Sequence, residues 1–81
     1  MADLIFTINN IFIVQINRTN IALITQENEE NHIKIFKEGK LKFEYTDNKI
    51  SDIKFIRKLI NEKFTFWNNK LVSKEIIKSY N

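Results

Sequence analysis

The chain has 81 residues, a formal net charge of +3 and 43% hydrophobic residues, with one Gly, no Pro and no Cys. That length supports one domain with a small core. The missing cysteines exclude disulfides, thiolate metal sites and thiol nucleophiles, and one glycine cannot build a P-loop or a dinucleotide fingerprint.

Two compositional features bear on partners. Ile occurs 15 times, Asn 11 and Lys 11, a bias towards A/T-rich codons that fits a virus- or mobile-element-encoded protein. The charge is also divided, with residues 1–33 carrying net −3 and residues 34–81 net +6. A basic second half suits an anionic partner and equally suits ordinary solubility. The first residues show no export signal, and the longest uncharged run, Leu4 to Asn17, is too short and too polar to span a bilayer. A cytoplasmic protein is expected.

In chain order, Leu4–Ile8 and Ile11–Ile16 read as β-strands joined by a tight turn at Asn9-Asn10. Both faces of this hairpin are apolar, so it needs either a central position or a partner on one side. Asn17–Asn20 is a polar turn, and the sequon Asn17-Arg18-Thr19 is read as part of it. Ile21–Thr25 is a third strand. Gln26–Asn31 is expected to be an acidic loop. His32–Tyr45 reads as a second hairpin. Its alternation requires an odd loop if Ile33 and Ile35 share a face with Leu41, Phe43 and Tyr45, and Glu38-Gly39-Lys40 supplies one.

Beyond Thr46 the period changes. Ile53, Ile56, Ile60 and Phe64 form a helical stripe, so a helix is expected from about Ile50 to Lys63 with Asn48 or Ser51 as its cap. Phe64–Trp67 and Lys70–Val72 read as short strands around Asn68-Asn69, although the segment could also prolong the helix. A last helix is expected from Ser73, with Val72 and Ile77 spaced as a hydrophobic staple. Strands followed by helices imply an α+β domain over residues 1–81, an antiparallel sheet of about five strands with two helices packed on one face.

Little in the sequence suggests catalysis. The single histidine, His32, stands beside Glu29 and Glu30 at no recognisable metal-ligand spacing, and Ser51 and Ser73 fall at expected helix ends. No enzyme activity, cofactor or metal is expected. The leading expectation is a small adaptor or inhibitor that docks on a protein, anchored by Phe55 and Trp67 with Lys54, Arg57 and Lys58 as a charged rim. The alternative is a nucleic-acid-binding module using Lys34, Phe36 and Lys42, where lysines would neutralise phosphates and Phe36 would stack on a base. A homodimer would hide the doubly apolar hairpin without a foreign partner.

Overall fold

The structure is a computed structural model, and it describes residues 3–48, 56–68, 70–74 and 77–80. Five strands run as an antiparallel meander: β1 (Asp3–Ile8), β2 (Ile11–Gln15), β3 (Asn20–Glu27), β4 (Glu30–Lys37) and β5 (Lys40–Asn48). A helix α1 (Ile56–Lys63) follows, then a two-stranded ribbon of β6 (Phe64–Trp67) and β7 (Lys70–Ser73). The short strand β8 (Lys78–Ser79) returns to the main sheet and pairs with β5, giving the order β1-β2-β3-β4-β5-β8.

Tight turns make this meander possible. Asn28 and Glu29 both adopt left-handed backbone, with φ of 50° and 61°, and so do Glu38 and Gly39, with φ of 51° and 83°. Such pairs match the right-handed twist of the flanking strands. The acidic stretch expected as a loop is therefore the end of one hairpin: Gln26 pairs with Asn31 and Glu27 with Glu30. Its polarity misled because Gln26 and Asn31 bond each other within the ladder. Gln26 Nε2 donates to Asn31 Oδ1 at 2.8 Å, and Asn31 Nδ2 donates to the Asn48 carbonyl at 2.9 Å.

The second hairpin satisfies its parity differently from the expected three-residue loop. Lys37 pairs with Lys40 across a two-residue turn, and the odd residue enters as a β-bulge: Phe36 faces Leu41 while Ile35 faces Phe43. Lys42 is the residue left without a ladder partner. Leu41 accordingly goes to the opposite face from Phe43 and Tyr45.

One face of the sheet holds the core. Phe12, Val14, Ile16, Ala22, Ile24, Ile33 and Ile35 are buried there at alternate positions, together with Ile60 of α1, Phe64 of β6 and Leu71 of β7. Phe43, Tyr45, Phe66 and Ile77 pack against them. Phe64 is central, its ring edge-on to Phe43 at 5.0 Å and tilted against Tyr45 at 5.8 Å. Helix and ribbon are tied end to end, the Lys74 amide donating to the Lys63 carbonyl at 2.7 Å.

This arrangement corrects the α+β expectation. The chain is mostly β, and the sheet is covered by one eight-residue helix and a β-ribbon, not by two helices. The helix expected from Ser73 is absent among the described residues. Ser73 ends β7, Ile77 packs on the core from an extended segment and Ser79 lies in β8. Pairing with β5 overrides the local staple-like spacing of Val72 and Ile77. Asn48 caps no helix, being the last residue of β5. The other expected cap, Ser51, and the start of the first helix lie outside the described residues. The β6–β7 ribbon is observed where two short strands are expected.

Candidate functional site

Two surfaces emerge once the core is assigned. The first is the outer face of the sheet. Alternation sends Ile11 and Ile13 of β2, Ile21 and Leu23 of β3, Phe36 of β4 and Leu41 of β5 away from the core. Ile13 pairs with Leu23, and Ile21 pairs with Phe36, which pairs in turn with Leu41. These side chains are half-buried against one another, and Ile21 is 39% exposed. No described element packs over them. At the edge of this face a hollow of about 320 Å³ opens between the β2–β3 and β4–β5 turns, lined by Arg18, Thr19, Ile21, Phe36, Glu38 and Gly39.

The walls of that hollow are stiffened by side chain–backbone bonds. Asn17 Oδ1 accepts from the amides of Thr19 at 3.0 Å and Asn20 at 2.7 Å, and from Asn20 Nδ2 at 2.9 Å. The sequon is thus a closed Asx-type turn. The Glu38 amide donates to the Thr19 carbonyl at 3.0 Å, joining the two turns.

A charged strip borders the apolar face. Lys34 Nζ lies 4.0 Å from Glu44 Oε2, and Lys78 Nζ lies 3.9 Å from Glu44 Oε1. The Tyr80 hydroxyl donates to Glu44 Oε1. That hydrogen bond, followed by the charges of Lys78 and Lys34, holds the Glu44 carboxyl below its ordinary value of 4.5. Lys78 is held above its ordinary 10.5, chiefly by Tyr80 and then by Glu44.

The second surface is a hollow of about 290 Å³ at the opposite side of the sheet edge, lined by Asn20, Lys37, Lys42, Phe43, Lys70, Leu71, Ser79 and Tyr80. Three strands, β4, β5 and β7, each bring one lysine to it. The β8 segment closes one wall, the Tyr80 amide donating to the Lys42 carbonyl at 2.8 Å.

The residues singled out from the sequence are distributed over both surfaces. Lys34 and Phe36 lie on the outer face, whereas Lys42 sits at the bulge and lines the basic hollow. They therefore do not form one patch. Trp67 is 70% exposed at the end of β6, and Lys58 is exposed on α1. Arg57 lies in α1, while Lys54 and Phe55 lie outside the described residues. His32 Nε2 stands 3.7 Å from Glu30 Oε2 on an open strand end, and among the described residues no group of three or more His, Cys, Asp or Glu could hold a metal ion.

Sequence reasoning missed both hollows. Lys37 and Lys70 carried no signal because their proximity depends on the ribbon folding back over the sheet. Ile21 could have been found from its alternation with Ala22 and Ile24. Among the described residues no helix is long and apolar enough to cross a membrane. No protein-family model, curated protein or solved structure matches this chain.

Proposed function

We propose that this chain is a non-enzymatic adaptor or inhibitor that docks on a protein partner in the cytoplasm through the outer face of its sheet. The observation that supports this reading is the Ile21–Phe36 pair. It is an adjacent, partly exposed apolar pair with Ile13, Leu23 and Leu41 around it and a hollow of about 320 Å³ at its side. Contiguous apolar surface of this kind marks contact sites, and a partner's side chain seated in a hollow is the usual form of an energetic anchor. The Lys34–Glu44–Lys78 strip would form a charged rim, setting orientation more than affinity.

A photo-crosslinking residue placed at Phe36 tests this directly. It should join one partner protein, and Ile21→Asp should remove the product while the far-UV spectrum stays unchanged. Sedimentation supplies the opposing outcome. If the chain is a dimer that Ile21→Asp converts to monomer, the face belongs to self-association and the adaptor reading falls. The nucleic-acid alternative draws on different residues, since Lys34 is engaged by Glu44 and Lys42 lies at the other hollow.

A further inference from the structure

The basic hollow has a construction that protein docking does not use. Lys37 reaches it from the end of β4, Lys42 from the bulge of β5 and Lys70 from the first position of β7. No carboxylate lines it. None of the three lysines forms an ion pair with a described residue, whereas Lys34 and Lys78 both meet Glu44. The nearest strand acid, Glu44, is held by Tyr80, Lys78 and Lys34. Three like charges gathered on a concave wall repel one another, and an anion relieves that repulsion. A lysine ammonium is a compact point charge that suits phosphate without demanding a fixed fork geometry.

A planar group stands beside this charge. Trp67 pairs directly with Lys70 across the ribbon. Opposed residues in an antiparallel pair have Cβ atoms only about 5 Å apart. Trp67 is 70% exposed, so its ring is open to a ligand that also touches Lys70. At about 290 Å³ the hollow exceeds what a lone phosphate needs and approaches the range of small-ligand sites. Unpaired lysines along a groove with an open aromatic at its rim are the two parts from which single-strand binding surfaces are made.

We infer that Lys37, Lys42 and Lys70 seat the phosphates of a single-stranded nucleic acid, with Trp67 stacking on one of its bases. Duplex would not serve, because its bases are stacked internally and cannot reach Trp67. The site is independent of the outer-face docking surface, so either can stand without the other.

Trp67 is the sole tryptophan of the chain, which makes its fluorescence a direct reporter. Titration with a dT or U octanucleotide should quench it. The logarithm of the association constant should fall against the logarithm of salt with a slope of about −2, as expected for three phosphate contacts on a single strand. Lys37→Gln, Lys42→Gln and Lys70→Gln together should flatten that slope towards zero. Should the triple variant fail to fold, Lys70→Gln alone should lower the slope by about 0.7. Trp67→Ala, followed by anisotropy of a labelled octanucleotide, should weaken binding about tenfold and leave the slope unchanged. Lys34→Gln should change neither. Three outcomes overturn the proposal: no quenching at low salt, a mononucleotide or inorganic phosphate binding as tightly as the octanucleotide, or an oligoglutamate peptide displacing it equally well. The second would make the site one for a small phosphate ligand, and the third would make it one for an acidic protein segment.

Discussion

The Tyr80 hydroxyl donates a 2.6 Å hydrogen bond to Oε1 of Glu44, a residue 36 positions earlier. This bond and the Tyr80 amide to Lys42 carbonyl bond flank the short β5–β8 ladder and fasten the end of the chain to the sheet. Because Glu44 is held below its ordinary pKa, its contribution to stability is fully present above about pH 4.5 and is lost as pH falls through the depressed value. Lys78 behaves oppositely, contributing below its ordinary 10.5 and losing that contribution as pH rises past its raised value. Tyr80→Phe should therefore bring the Glu44 carboxyl back towards 4.5, and carboxyl carbon shifts followed against pH by NMR would show it. An unmoved titration would mean that Lys34 and Lys78 alone set it.

Phe64 joins helix, ribbon and sheet, with Phe43 and Tyr45 against its ring. Phe64→Ala should destabilise by about 3–5 kcal/mol, a large part of the stability of a domain this small. Ile33→Val, which removes one methyl from the sheet side of the same core, should cost about 1 kcal/mol. Urea midpoints of the two variants measure both.

Asn31 is only 1% exposed and bridges Gln26 to the Asn48 carbonyl. Asn31→Leu would leave the Asn48 carbonyl and the Gln26 amide without this partner, at a cost of about 1–3 kcal/mol. Amide exchange should then speed up at the β3–β4 turn and at the end of β5, while the centre of the meander stays protected.

The β4–β5 turn separates backbone strain from packing. Gly39 has φ of +83° and nothing within 4 Å of an added Cβ, so Gly39→Ala should cost about 1–2 kcal/mol from conformation alone. Glu38, at φ of 51°, should gain about 0.5 kcal/mol when changed to Asn, which tolerates that region better. Thermal melts of the two single variants should move in opposite directions.

Trp67 is the large apolar residue whose removal should leave the fold unaffected. With 70% of its surface exposed, Trp67→Ser should change stability by less than about 0.5 kcal/mol in urea unfolding. A larger loss would place its ring in the core.

The meander was legible in the sequence because its signals are local. Asn9-Asn10 and Gly39 mark turns, and Ile33 and Ile35 alternate cleanly with Lys34 and Phe36. Ile60 and Phe64 also announced their inward face. Three things were not legible. Glu29 at left-handed φ is an unusual turn residue, so a two-residue turn looked like an acidic loop. The parity of the second hairpin had two solutions, a longer loop or a bulge, and local alternation cannot choose between them. The path from Ser73 to Tyr80 depends on Glu44 and Lys42, far away in the chain, while Val72 and Ile77 mimic a helix start. For the same reason Lys37, Lys42 and Lys70 looked like scattered solvent-facing lysines, and Lys42 was grouped with Lys34 and Phe36.

The bulge at Lys42 has a consequence for how this protein can vary. Removing that residue would leave Phe36 opposite Leu41 and Ile35 opposite Phe43, a regular ladder with every side chain on its present face. Loss of a residue from the middle of β3, by contrast, would turn the rest of the strand over. Lys42 is therefore an insertion that the hairpin can shed without refolding. A chain shortened there would keep its architecture and its outer face while losing one of the three cations at the basic hollow, so length change at this position separates scaffold from binding chemistry in a single step.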